Sequence, residues 1–506
     1  FFKQKTAYEI VDCDWSSDVC SSDLCTQKSA YKTGFNFQAD LPRDCLGSHY
    51  RTNDFATLPG GSRMNALLLA LFTMLPAFSA PAKVEPQKPN ILILSIDSLR
   101  RFPGEPYNIA EKDAPNLVAF AKKSYFYKNF FSLFCWQNIV YWISRMPSGL
   151  FDRSGYEPIG LSWNPGVLRK IDALKMERIP PKFYLLSEHG YFDFALKLLK
   201  QRLNKPRTKP FFLEVHFKEI HPPMYMAGVT TLEKLTPKSA RLLKSYLTNP
   251  ERFPDKVVLF SFLFDPMLRL SHDWRTDAAL DRLIEEKRIH AGWALLPTVD
   301  FQSSDKFLNL WKNSKNYTDD IELMKELFSL KLRELDQKIG EVLELYDNEE
   351  LKKNTLLMVV GNFGFSFMEH GKLFNSEDTY DEFNGTSMMV RFPGQNSGRV
   401  LEEQASLRGA TKFLETVIQN GLSGGKEEDL LRSTAPDPNI LVRNYNRNIF
   451  ALRSENRWKL ILNFVTGSRE LYDLSRDPGE KKNLFFEELE TSARLQNRLF
   501  QELFHD

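Results

Sequence analysis

Three short apolar runs in this chain end in polar side chains. Ile91 to Ile96 leads into Asp97-Ser98, Phe211 to Phe217 leads towards Glu219-Ile220-His221, and Thr355 to Val360 leads into Asn362-Phe363. A carboxylate and an amide offer hard oxygen ligands, and an imidazole gives or takes a proton near neutral pH. Brought together, such groups could hold an ion or steer a proton. Asp97 and Asn362 lie far apart in the chain, so only a fold can make them neighbours.

The elements that would position them are legible. Runs that are apolar at every position read as strands buried on both faces, as in a parallel sheet covered by helices. Pro115 to Ser124 predicts a helix, with Leu117, Phe120 and Ala121 at helical spacing and Pro115 suited to the first turn. Leu323 to Tyr346 repeats apolar residues with helical period, which predicts an amphipathic helix of about six turns. Strand, helix and strand in this order predict a large α/β sandwich with a mainly parallel mixed sheet. In such sheets ligands sit at the carboxyl ends of the strands, where the three polar groups lie. The tail differs. Ile449 to Leu452, Trp458 to Phe464 and Leu471-Tyr472 read as a small antiparallel sheet, followed by a helix over Glu487 to Phe504. The expected division is a larger domain over 81–430 and a C-terminal subdomain over 431–506.

Composition narrows the function. The chain has 506 residues, with 67 Lys+Arg against 65 Asp+Glu, so charge makes no case for a nucleic-acid partner. Lys3 to Ile10 (KQKTAYEI) and Trp15 to Leu24 (WSSDVCSSDL) read as translated sequencing-adapter DNA, and 1–63 is set aside as adapter and untranslated sequence. That leaves Cys135 as the lone cysteine, which cannot form an internal disulfide. From Met64 an apolar stretch runs to Ala77-Phe78-Ser79, which reads as a secretory signal peptide over 64–80. A secreted or secretory-pathway protein is therefore expected, with no membrane span. Asn316-Tyr317-Thr318 and Asn384-Gly385-Thr386 fit the glycosylation pattern.

The motifs in chain order resemble the sulfatases, a branch of the alkaline-phosphatase superfamily. The likeness rests on Pro89 to Arg100 (PNILILSIDSLR), Ala114-Pro115-Asn116-Leu117, Asn129 to Ser132 (NFFS), Lys209 to Leu213 with His221-Pro222-Pro223, and Leu335 to Gly340 (LDQKIG). It continues through Glu369-His370-Gly371-Lys372, Val390 to Gly394 (VRFPG), Arg457-Trp458-Lys459, Glu470 to Leu474 (ELYDL) and Asp477-Pro478-Gly479-Glu480. It spans roughly residues 89 to 485. Each piece is short, and their shared order carries the resemblance.

The resemblance implies sulfate-ester hydrolysis by a formylglycine made from cysteine in a C-x-P-S-R motif, with calcium held by acidic and amide oxygens. This chain departs from that pattern. Around the expected position it reads Cys135 to Arg145 (CWQNIVYWISR), with no Pro-Ser-Arg behind Cys135, so formylglycine is not expected. Cys135 is the remaining thiol candidate for a nucleophile, against a small buried thiol beside Trp136. Asp97 matches the first metal aspartate, Ser98 stands at the second position, Asn362 at a later aspartate, and Phe363 at a ligand position its ring cannot serve. Asp97 and Asn362 are the metal candidates, and the reduced set weighs against calcium. His221 and Lys372 match positions that contact the sulfate or leaving oxygen, and Arg145 could add positive charge. His216 reads as a packed core histidine, and His370 as either. The expectation is a sulfatase-like protein with impaired or lost catalysis that binds anions such as a sulfated or phosphorylated glycan. The alternative is an active, divergent sulfate or phosphate ester hydrolase.

Overall fold

Each strand ending in a polar group is buried along its length because it has neighbours on both sides and layers above and below. In a computed structural model, Asn90–Ile96 (β1) lies between Phe211–Phe217 (β4) and Thr355–Gly361 (β5), parallel to both. The structure describes residues 88–134, 138–161, 208–222, 229–248, 305–374, 378–444 and 446–505, together with a few single positions between 196 and 263. The adapter and signal-peptide readings over 1–63 and 64–80, and Cys135, fall outside the described residues.

Among the described residues the sheet has seven strands, in the order β3-β4-β1-β5-β8-β2-β9. The others are Tyr125–Phe131 (β2), Glu157–Leu161 (β3), Gly385–Arg391 (β8) and Arg399–Ser406 (β9). Strand β8 runs antiparallel to β5 and β2, and the remaining pairs are parallel. The sheet is therefore mixed and mainly parallel, as the apolar runs predicted.

Side chains alternate across a strand. Leu92, Leu94 and Ile96 join Leu213, Val215 and Phe217 under the helices Pro115–Lys122 (α1) and Tyr317–Tyr346, while Ile91, Ile93, Phe212 and Met358 face the other layer. That second layer holds the short helices Ile139–Ile143 (α2) and Leu150–Ser154 (α3) and the helix Leu407–Asn420.

The long helix Tyr317–Tyr346 (α4) starts before the predicted Leu323 and puts a continuous apolar stripe on the sheet. Its Asp336 reaches back over the chain: Oδ2 accepts from Asn116 N and Oδ1 from Leu117 N, at 3.0 and 2.9 Å. A distant carboxylate thus serves the unpaired N–H groups at the start of α1. Gly340, one turn on, leaves room for the Asn116 amide, since a Cβ there would lie 2.8 Å from Asn116 Nδ2. The motifs around Asn116 and Asp336 are two halves of one joint.

The tail forms an antiparallel sheet of Asn439–Arg443 (β10), Ile449–Ser454 (β11), Trp458–Asn463 (β12) and Arg469–Asp473 (β13). Helix Leu489–His505 covers one face, and Ile440, Val442, Ala451 and Ile461 pack from the other face on Phe131 and Leu133. Strand β10 went unread because its run is short and follows Asp437-Pro438 directly.

The two glycosylation patterns have structural occupations. Asn384 is 1% exposed, and its Nδ2 donates to the carbonyls of Asp378 and Tyr380, so a glycan there is incompatible with the fold. Half-buried Asn316 donates from Nδ2 to Tyr246 Oη at 3.2 Å.

Candidate active site

Strands β1, β4 and β5 stop at the same level of the sheet, so the residues that follow them meet. Asp97 N donates to Phe217 O at 3.0 Å, and Asn362 N donates to Ile96 O at 2.8 Å. These bonds place the Asp97 and Asn362 side chains in contact, and Asn362 Nδ2 donates to Asp97 Oδ1 at 2.7 Å. The amide's oxygen accepts from Ile139 N at 2.9 Å, at the first turn of α2. Asn138 caps the same helix through Oδ1, which accepts from Tyr141 N at 3.0 Å. Ser98, next along, is fully buried with φ 59, a left-handed conformation costly for a residue with a Cβ.

The second Asp97 oxygen meets a residue that sequence reading assigned to the core. His216 Nε2 lies 3.0 Å from Asp97 Oδ2, and His216 is 1% exposed. It is buried, as expected, yet it belongs to the site. The register explains this: Ser95 pairs with His216 and Ile93 with Glu214, so Ser95, Glu214 and His216 share one face of the sheet. Ser95 Oγ donates to Glu214 Oε1. Among the described residues, Glu214 Oε2 and His216 Nδ1 are buried with no hydrogen-bond partner. Polar residues at alternate positions of an otherwise apolar strand, Glu214 and His216 in FFLEVHF, were the signal that could have found them.

Charge follows from this packing. Burial works to raise the Asp97 carboxyl, but His216, then His221 and the Asn362 hydrogen bond, outweigh it and hold it below its ordinary value. Burial works to lower the His216 imidazole, and Asp97 with Glu214 more than reverses that. Burial pushes Glu214 up to about 7, against the pull of His216 and Ser95.

His221 follows β4 and is half-buried, with Nδ1 2.6 Å from Pro222 O and its ring edge-on to Phe363 at 5.9 Å. Burial and the nearby Lys218 push its pKa down to about 4. It therefore offers a neutral ring near neutral pH. Lys372 lies in the turn of the hairpin Ser366–Phe367 (β6) and Leu373–Phe374 (β7), where its carbonyl accepts from Ser366 Oγ and Met368 N. Its charge helps to lower the Asp378 carboxyl against the burial that raises it. Arg145 is exposed just beyond α2, with its guanidinium 3.7 Å from the Tyr141 ring centre. His370 belongs elsewhere: Nδ1 lies 2.6 Å from Glu382 and Nε2 3.0 Å from Glu480 O, beneath the small sheet.

The donor set does not fit a hard divalent cation. Asp97 already takes one donor on each oxygen, and the Asn362 amide turns its nitrogen, not its oxygen, to Asp97. Phe363 supplies only carbon at its side chain. Among the described residues there is no group of three or more His, Cys, Asp or Glu side chains able to hold a metal ion. A hard cation is held mainly by anionic oxygens, and one carboxylate is too few.

Comparison with known proteins decides the fold. A solved 2-O GAG sulfatase superposes with a TM-score of 0.55 at 14% identity, covering 83% of this chain and 92% of that one. This is the sulfatase fold. A protein solved in complex with its substrate D-glucosamine-2-N,6-O-disulfate gives 0.54 at 15% identity, covering 82% and 97%. A phosphonate monoester hydrolase from Silicibacter pomeroyi gives 0.52 at 12%, covering 82% and 95%. No family model matches the chain. In sequence, an arylsulfatase of Chlamydomonas reinhardtii is 24% identical over 223 residues, 34% of this chain and 33% of that protein. The chain thus matches about a third of the length of that curated relative. In fold the chain is sulfatase-like, and part of its sequence is similar to an arylsulfatase. No helix among the described residues is long and apolar enough to cross a membrane.

Proposed function

We propose that this chain is a secreted sulfatase-like protein whose catalysis is impaired or lost and whose remaining role is to bind an anion such as a sulfated glycan. One observation carries the reading: both oxygens of Asp97 are engaged by N–H donors of the chain, from Asn362 and His216. A sulfuric ester hydrolase of the resembled kind needs that edge to hold a cation and the sulfate oxygens. Here the edge is closed by internal hydrogen bonds. Lys372 and Arg145 remain as cationic contacts for an anion, with His221 as a neutral hydrogen-bonding ring. The one N–H of that neutral ring faces Pro222 O at 2.6 Å, so His221 reaches a sulfate oxygen as a donor only when Nε2 takes up a proton.

Heparin, a sulfated glycan, and p-nitrophenyl sulfate, an aryl sulfate, are the probes. The full chain is expected to bind heparin with salt-sensitive affinity and to release no p-nitrophenol above the rate of buffer. Lys372→Ala should weaken heparin binding about 3- to 10-fold, as expected for one lost charged contact. Turnover of p-nitrophenyl sulfate that disappears in Asp97→Ala would overturn the reading in favour of an active divergent hydrolase.

A further inference from the structure

A buried carboxylate needs either donors or a cation beside it. At the end of β1 the donors come from the chain itself. We infer that His216 occupies the seat of the cation, so that the strand-end site is wired internally and is independent of metal. The inference rests on the sulfatase-like reading, which supplies the expectation of a cation there.

Three features support it. His216 Nε2 sits 3.0 Å from Asp97 Oδ2 while Asn362 Nδ2 sits 2.7 Å from Oδ1, so each oxygen of the carboxylate is already taken. The Asn362 amide cannot turn its oxygen to an ion beside Asp97 without losing two bonds, the one to Asp97 and the one from Ile139 N. The surroundings are closed as well: Asp97 is 8% exposed, and Asn362 and His216 are 0% and 1%. A dication placed against this single carboxylate would leave net positive charge buried beside a ring N–H aimed at the same oxygen, a costly arrangement.

His216 is placed by the sheet, not by a loop. It stands on β4 opposite Ser95, two residues before Asp97 on β1, so the pairing that builds the sheet also delivers the ring. The resulting chain of contacts runs from Ile139 N through Asn362 and Asp97 to His216. It ties the first turn of α2 to three strand ends. His216 is thus a positioning residue, acting through Asp97.

The test is thermal unfolding of the full chain in millimolar calcium, magnesium or EDTA. A ligand bound only by the native state raises the midpoint. The wild-type midpoint should agree within about 1 °C in all three conditions. His216→Leu leaves Asp97 Oδ2 without a donor, so its midpoint should fall by about 2–5 °C. His216→Gln keeps an N–H donor, so it should fall less and stay insensitive to calcium. A calcium-dependent rise in the wild type that vanishes in Asp97→Ala would overturn the inference, as would equal behaviour of the Leu and Gln variants. If His216→Leu fails to fold, the wild-type arm and a calcium-insensitive His216→Gln still decide. The two readings fail separately. Calcium-insensitive protein that hydrolyses p-nitrophenyl sulfate defeats lost catalysis and leaves His216 in its role. Calcium-stabilised protein without turnover does the reverse.

Discussion

The strand-end site and the seam between the two sheets both bury charge, and they neutralise it in different ways. At the seam, Lys459 is 1% exposed and its Nζ lies 2.8 Å from Asp381 and 2.7 Å from Glu480. Arg453 adds a second contact to Asp381 at 2.6 Å, and Glu480 Oε2 accepts from Asp381 N. Burial works to raise the Asp381 carboxyl, but Arg453, Lys459 and Arg101 outweigh it and hold it far below its ordinary value. Fixed cations meet fixed anions there. At the strand ends, among the described residues, Asp97 meets one amide and one imidazole, and Glu214 meets one hydroxyl with its other oxygen unpartnered.

The difference separates framework from chemistry. Several seam residues belong to the sulfatase-like C-terminal motifs, and the structure gives each a task. Glu480 pairs with Lys459, Asp473 with Arg457, and Asn483 Oδ1 accepts from Leu471 N and Phe485 N. These residues hold the small sheet in place whatever the site does. Ser98, Asn362 and Phe363, where the sequence differs from the resembled pattern, lie at the strand ends instead.

The comparison can be broken most sharply at the seam. Lys459→Met removes the shared cation and leaves two buried carboxylates facing each other, so urea unfolding should show a loss of about 3–5 kcal/mol. A loss below 1 kcal/mol would mean that the seam is wetter than its burial indicates. A smaller effect is expected with pH. Burial works to lower the His370 imidazole, but Glu382 and Glu480 raise it to about 9 from 6.5. Its contribution is therefore complete below pH 6.5 and is lost as pH rises through about 9. After solvent screening it should amount to about 1–2 kcal/mol, and His370→Gln should flatten stability against pH over that window. The smallest effect belongs to the strand ends. Ser95→Ala removes the hydroxyl donor to Glu214 and should cost about 1 kcal/mol in the same urea experiment. A cost as large as that of Lys459→Met would erase the contrast between the regions.

Much of the fold was legible because burial leaves a local mark. A strand covered on both faces must be apolar throughout, so β1, β4 and β5 announced themselves as ILILSI, FFLEVHF and TLLMVV. The long helix showed its stripe for the same reason. Strands β2, β8 and β9 were not read as strands. Tyr125–Phe131 mixes Lys128 and Asn129 into an aromatic run, and Arg399–Ser406 has an exposed first half. Strand β2 pairs with residues of β8 and β9 more than 250 positions away, and local pattern carries no record of that.

For the site, the sequence by itself determined which groups stand at the strand ends: one aspartate, one asparagine, one phenylalanine and a histidine. It also determined what is missing, since residue type limits ligand type whatever the fold. Only the tertiary structure decided how those groups are used. Sheet register brought His216 to Asp97, and helix α2 turned the Asn362 amide. Burial then set their charges, holding His221 neutral and pushing Glu214 up to about 7. Protonation and hydrogen-bond direction depend on what surrounds a group in space, and strand pairing sets that only when the chain folds.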